Sequence, residues 1–106
     1  MIEPASIAVI FTSTLSSADD PEYASTALRM EELAREQDGF ISVLSIRDPV
    51  TLQGVTVSYW RDEQAVLHWK QVLEHLAAQE RGRSGWYTEY SVVVARVTRS
   101  YSGGQS

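Results

Sequence analysis

The residues of this sequence with the means to do chemistry crowd into one third of it. Ser58–Tyr90, SYWRDEQAVLHWKQVLEHLAAQERGRSGWYTEY, holds all three Trp, both His and three of the five Tyr. Rings at that density make either a core wall, because they bury large areas, or an apolar pocket with a few convergent polar groups. His68 and His75 add imidazoles, which exchange protons near neutral pH. They stand seven residues apart with no Cys in the chain, so no metal-ligand spacing is present and no metal is expected. Neither GxGxxG nor GxxxxGK[ST] occurs, and Gly82 reads as a chain-turning residue.

Composition narrows the class. The 106 residues make one domain over 1–101, followed by a Gly/Ser tail over 102–106 that is expected to fray. A net charge of −5 with scattered basic residues speaks against nucleic acid as a partner. No apolar run reaches membrane-spanning length, and no basic N-terminal segment leads into an apolar one; the expected location is the cytoplasm. Without Cys there is no thiolate ligand or Cys nucleophile.

The elements that must position these groups follow from periodicity. Ala5–Thr14 is a β-branched strand, with Ile7, Val9 and Phe11 on one face and Ala8 and Ile10 on the other. Asp20 and Pro21 start a helix that carries Tyr23, Ala27, Met30 and Ala34 and closes near a left-handed Gly39. Its acidic cluster, Glu31, Glu32, Glu36 and Asp38, is a solvated face. Phe40–Arg47 is a second strand; strict alternation puts Phe40, Ser42, Leu44 and Ile46 on one face. A hairpin over 48–54 leads into Gly54–Arg61, which sets Val55, Val57 and Tyr59 against Thr56, Ser58 and Trp60. Asp62 caps a second helix, expected to bend near Lys70–Gln71 and to end by Gly82–Gly85. Trp86–Tyr101 is the last strand.

The order β-α-β-β-α-β predicts an α+β, ferredoxin-like fold with a four-stranded antiparallel sheet. Two helices cover only one face of such a sheet. The first and last strands are apolar on both faces, and a bare apolar face exceeds what a soluble monomer tolerates. A second copy, sheet against sheet about a two-fold axis, is the expected cover.

SYWRDEQAVLHW, EHLAAQERGR and WYTEYSVVVARVTRSY together resemble the antibiotic biosynthesis monooxygenase family, over about Ile7–Tyr101. The resemblance implies the dimeric α+β barrel, a homodimer. Its branches include cofactor-free oxygenases of aromatic polyketides, heme-degrading enzymes, and members without an assigned substrate. The heme-degrading pattern implies an Asn on the first strand and a His ten residues beyond the helical Trp. Trp69 matches that Trp, but Gln79 stands at the His position and ASIAVIFTST has no Asn; no cofactor is expected.

A cofactor-free oxygenase needs an apolar slot, a base and a donor for a developing oxyanion. The expected catalytic residues are His75 as base, Trp69, and Arg83 for the anion; Tyr59, Val72, Leu76, Gln79, Trp86 and Tyr87 are the expected substrate contacts. Each also has a structural role to play: Trp69 as lining, His75 as a solvated neighbour of Glu74, and Arg83 as a cation at helix-terminal carbonyls. The substrate class is a phenol, anthrone or quinol-like molecule. A non-catalytic dimer that binds a small hydrophobic ligand stands as the alternative, and a heme-binding enzyme as the more remote one.

Overall fold

The computed structural model describes residues 2–18, 20–79 (side chains through His75 on the last helix) and 86–104. The elements run β1 (Ile7–Leu15), α1 (Pro21–Arg35), β2 (Phe40–Arg47), β3 (Gln53–Trp60), α2 (Glu63–Gln79) and β4 (Tyr87–Arg96). One four-stranded antiparallel sheet, in the order β2-β3-β1-β4, is the ferredoxin-like arrangement that the element order predicts.

Both helix starts are built as their sequences imply. The Asp20 carboxylate accepts the N–H groups of Glu22 (2.9 Å) and Tyr23 (3.2 Å), with Pro21 opening the first turn. Asp62 accepts the Ala65 N–H at 2.9 Å, and that bond, then Arg61, holds its carboxyl below the usual carboxylate range. The expected bend near Lys70–Gln71 is absent; α2 runs unbroken. It contains no Gly or Pro, and Ala65, Val66, Trp69, Val72 and Leu73 form one continuous stripe against the core.

The strands hold two more departures. The β2–β3 register slips between Phe40 and Ser42. That bulge turns Phe40 and Val43 toward the helices and leaves Leu44 and Ile46 on the far face, so Phe40 does not share a face with them. The last strand ends at Arg96, short of Tyr101. Gly39 does take a left-handed φ of +87°, but three residues beyond the Glu36 cap, in the turn into β2. A Cβ there would lie 2.6 Å from that of Ala65, so α2 could not approach as it does.

Register assigns the helix-covered face row by row. Phe40, Trp60 and Ile7 stand side by side at one end of the sheet, and Arg47, Gly54, Ser13 and Tyr90 at the other. The core fills the first end: Trp60 is fully buried, stacked on Trp69 at 5.6 Å between ring centres and met edge-on by Phe40. Trp60 Nε1 donates to Ser58 Oγ on its own strand (2.9 Å), so the indole costs the core no unpaired N–H. α1 packs on β2, and α2 packs on β1 and β3.

Candidate functional site

The other end of the same face is polar, and topology brings chemistry there. β1 runs toward it and hands over to α1, so Tyr23 in the first turn of α1 lies above it. β3 runs away from it and ends at Trp60, paired with Ile7, while β4 begins opposite Leu15. The 17 residues of α2 span about 25 Å, so the helix must return along the sheet and deliver its C-terminal turns to this end.

Arg47 is the centre of the arrangement. The bulge in β2 gives it the phase that points inward, level with Gly54 and Ser13 on the neighbouring strands. Its guanidinium donates to the Leu52 carbonyl (2.7 Å), the Ser13 carbonyl (3.2 Å), Ser13 Oγ (2.8 Å) and Tyr23 Oη (3.3 Å). It also lies 5.9 Å from the centre of the Tyr23 ring. Glycine at 54 makes room for it, since a Cβ there would come within 2.6 Å of Arg47 Cζ. Leu52, at a strained φ of +65°, is held by the Arg47 bond and by the Leu15 N–H on its carbonyl (3.0 Å).

Five rings form a chain of contacts that reaches Arg47 through Tyr23. Tyr23 meets Trp86 (5.5 Å) and Tyr87 (5.7 Å) edge-on, Phe11 meets Tyr87 edge-on (5.5 Å), and Tyr90 stacks on Phe11 (5.9 Å). The Tyr87 hydroxyl donates to Tyr23 Oη at 3.4 Å. Burial, and then that hydrogen bond, push the Tyr87 phenol well above its ordinary value, against a smaller opposing pull from Arg47. Tyr87 is therefore a neutral donor at physiological pH and no base.

The residues singled out from sequence divide between places. Trp86 and Tyr87 meet at the polar end, with Tyr23. Trp69 and Val72 belong to the core, Trp69 only 8% exposed beneath its stack with Trp60. Tyr59 faces away from the helices, because it sits between Ala8 and Ser42 while Trp60 takes the helix side; it cannot line a pocket with Trp69. His75 is exposed on α2, on the stripe of His68 and off that of Trp69 and Val72. Leu76 and Gln79 belong to the last turns of α2, and their side chains lie outside the described residues, as does Arg83. Arg47, Ser13, Tyr23, Phe11 and Tyr90 were not singled out; an arginine in the inward phase of a strand is the signal that could have found them.

The far face carries an open concavity of about 690 Å³, bordered by Thr12, Thr14, Ile46, Gln53, Val55 and Ser91 among others. Leu44, Ile46, Val55 and Val93 on that face are 37–63% exposed. Among the described residues no group of three or more His, Asp or Glu is placed to hold a metal ion. None of their helices is long and apolar enough to cross a membrane.

The profile of a family described as antibiotic biosynthesis monooxygenase matches residues 6–81. A Bacillus subtilis protein, the uncharacterized YqjZ, is 48% identical over 97 residues, covering 92% of this chain and 83% of that protein. The jasmonate monooxygenase ABM of Pyricularia oryzae is 31% identical over 96 residues, 88% of this chain but only 44% of that longer protein. In fold, the chain is similar to a variant of SnoaB, a cofactor-independent oxygenase from Streptomyces nogalater: TM-score 0.70, 16% identity, 91% of this chain and 96% of that one. MupZ from Pseudomonas fluorescens superposes with a TM-score of 0.67 at 12% identity, over 85% of this chain and 68% of that one. With a sheet, two helices and an element order matching these neighbours, and a profile match over most of its length, the chain belongs to the antibiotic biosynthesis monooxygenase family.

Proposed function

We propose that this protein is a cofactor-independent monooxygenase that oxidises a phenol, anthrone or quinol-like aromatic molecule with O₂. The carrying observation is the polar end of the helix-covered face. There Trp86, Tyr87 and Phe11 offer flat apolar walls beside a neutral phenol donor and a guanidinium. Such a site binds an electron-rich ring, favours its ionised form and keeps water away while O₂ reacts. His75 is the proposed base, delivered to that end by α2, and Arg83 a further anion contact. SnoaB supports the reading as a fold neighbour that works without a cofactor.

For an anthrone the chemistry closes without a redox partner. The base takes a proton from the CH₂ carbon; the resulting enolate reduces O₂ as a C–O bond forms, giving a hydroperoxide. Loss of water breaks the O–O bond and leaves C=O. The sum is R₂CH₂ + O₂ → R₂C=O + H₂O, four electrons passing from carbon to oxygen. Oxygen uptake with 1,8-dihydroxyanthrone, in chelator and without added flavin or metal, tests it. Uptake matched one-to-one by quinone is the expected result, and a rate equal to buffer alone overturns the proposal. Anaerobic binding of the anthrone without turnover would instead mark a ligand-binding dimer, the reading that the exposure of His75 favours.

The working unit in this proposal is a homodimer. On the far face Leu44, Ile46, Val55 and Val93 are 37–63% exposed in the single chain, and on the other face of β4 Tyr90, Val92 and Val94 are 51–66% exposed. Sedimentation at micromolar concentration should give twice the chain mass of 11.9 kDa. A stable species at the single-chain mass contradicts the dimer.

A further inference from the structure

Among the described residues the hydrogen bonds to the Tyr23 hydroxyl are all of one sense. Its phenolic oxygen accepts from Arg47 Nη2 (3.3 Å) on one side and from the Tyr87 hydroxyl (3.4 Å) on the other. A phenol oxygen has two acceptor positions and one proton to give. With both positions taken, the proton is directed away from both donors, and no acceptor for it is present among the described residues. Donors aligned in series polarise the last O–H in the chain. Among the described residues Tyr23 is thus a strengthened donor with no acceptor for its proton.

The charge behind it is also uncompensated. Arg47 is half-buried, and its partners are carbonyls, a serine hydroxyl and Tyr23; no carboxylate pairs with it among the described residues. In a chain of net charge −5, an unpaired guanidinium under a partly covered site draws an anion. The four bonds that Arg47 already makes leave its Nη groups little to offer directly, so its charge reaches a ligand through the Tyr23 hydroxyl. Trp86 and Tyr87, each edge-on to Tyr23, favour a flat partner.

We infer that Tyr23 binds the ionised oxygen of the substrate, a phenolate or enolate, and that Arg47 is the positioning residue that makes it the preferred donor. The ligand class rests on the oxygenase reading above; the anion site itself does not. Tyr23→Phe removes the donor and keeps the ring contacts, but takes an acceptor from Arg47 and Tyr87, so a modest fall in melting temperature with the fold intact is expected. Two measurements then separate the questions. In the first, 4-nitrophenol is added to the full chain and its phenolate absorbance followed against pH. The bound probe should ionise at lower pH than the free one, and the displacement should vanish in Tyr23→Phe and shrink in Arg47→Lys. No displacement up to the solubility of the probe, or one unchanged in Tyr23→Phe, overturns the inference.

In the second, turnover of 1,8-dihydroxyanthrone should fall about 10²-fold in Tyr23→Phe, as when one oxyanion donor is lost. The acid limb of its kcat profile should move to higher pH, because the anion has lost the donor that favoured it. Wild-type turnover with an identical Tyr23→Phe profile overturns the role of Tyr23 and leaves the oxygenase standing. A Tyr23-dependent nitrophenolate shift without turnover does the reverse.

Discussion

Two groups of aromatic rings share the helix-covered face of one sheet, and they are assembled in opposite ways. Phe40, Trp60 and Trp69 close on each other at one end, with the Trp60 indole N–H satisfied within its own strand. Tyr23, Trp86, Tyr87, Phe11 and Tyr90 gather at the other, where the Arg47 guanidinium and the Tyr87 hydroxyl both donate to Tyr23. In the first group the two indoles are buried, Trp60 0% and Trp69 8% exposed, with the partly buried Phe40 against them. The second keeps Tyr90 at 66% exposed and every other ring only partly covered. Ring count therefore does not tell a core from a site. What does is whether polar atoms around the rings finish their hydrogen bonds among themselves.

The sharpest way to break this division is to remove a ring from the buried end. Trp60→Ala leaves a void where nothing can collapse and should cost about 3–5 kcal/mol, read as a large fall in denaturation midpoint. A loss well under that would show the first group to be loosely packed, and so available to a ligand. At the polar end the expected loss is in rate. His75→Ala should lower anthrone turnover about 10²–10⁴-fold with an unchanged melting curve, since the side chain is exposed on α2. Full turnover in that variant would remove the base role and leave shielding by the aromatic walls to account for oxidation.

How much of this division was legible in the sequence depends on the kind of contact. The β-α-β-β-α-β order and the Asp20 and Asp62 caps rest on local signals that any short window carries. Arg47 and Ser13 rest on register across three strands, and that register is shifted by a bulge between Phe40 and Ser42 that no local pattern announces. Strict alternation carried past the bulge puts Phe40 on the wrong face. Tyr59 and Trp60 were separable by alternation alone; the missing fact was which of the two faces the helices would cover. No break forms in α2, because Ala65, Trp69 and Val72 keep one phase through Lys70–Gln71.

Smaller effects sharpen the picture at the polar end. Tyr87 holds its proton more tightly folded than unfolded, through burial and its bond to Tyr23. Its contribution to stability is complete below the ordinary phenol value of about 10 and is lost as pH rises above it. Melting curves taken up to about pH 11 should therefore show a steeper alkaline decline in the wild type than in Tyr87→Phe. Equal slopes would mean that the phenol is freely hydrated. Hemin should produce no Soret shift that disappears in His75→Ala. A shift of that kind, followed by ring opening on reduction, would move the protein to the heme-degrading branch.

The division itself is tested most directly by watching the three indole N–H resonances while an anthrone binds. Trp60 and Trp69 report on the buried end and Trp86 on the polar one, within a single spectrum. Titration of ¹⁵N-labelled protein with 1,8-dihydroxyanthrone under anaerobic conditions should move the Trp86 signal and leave those of Trp60 and Trp69 in place. Movement of the Trp60 and Trp69 signals with Trp86 unchanged would put the ligand where the core is drawn and contradict the account.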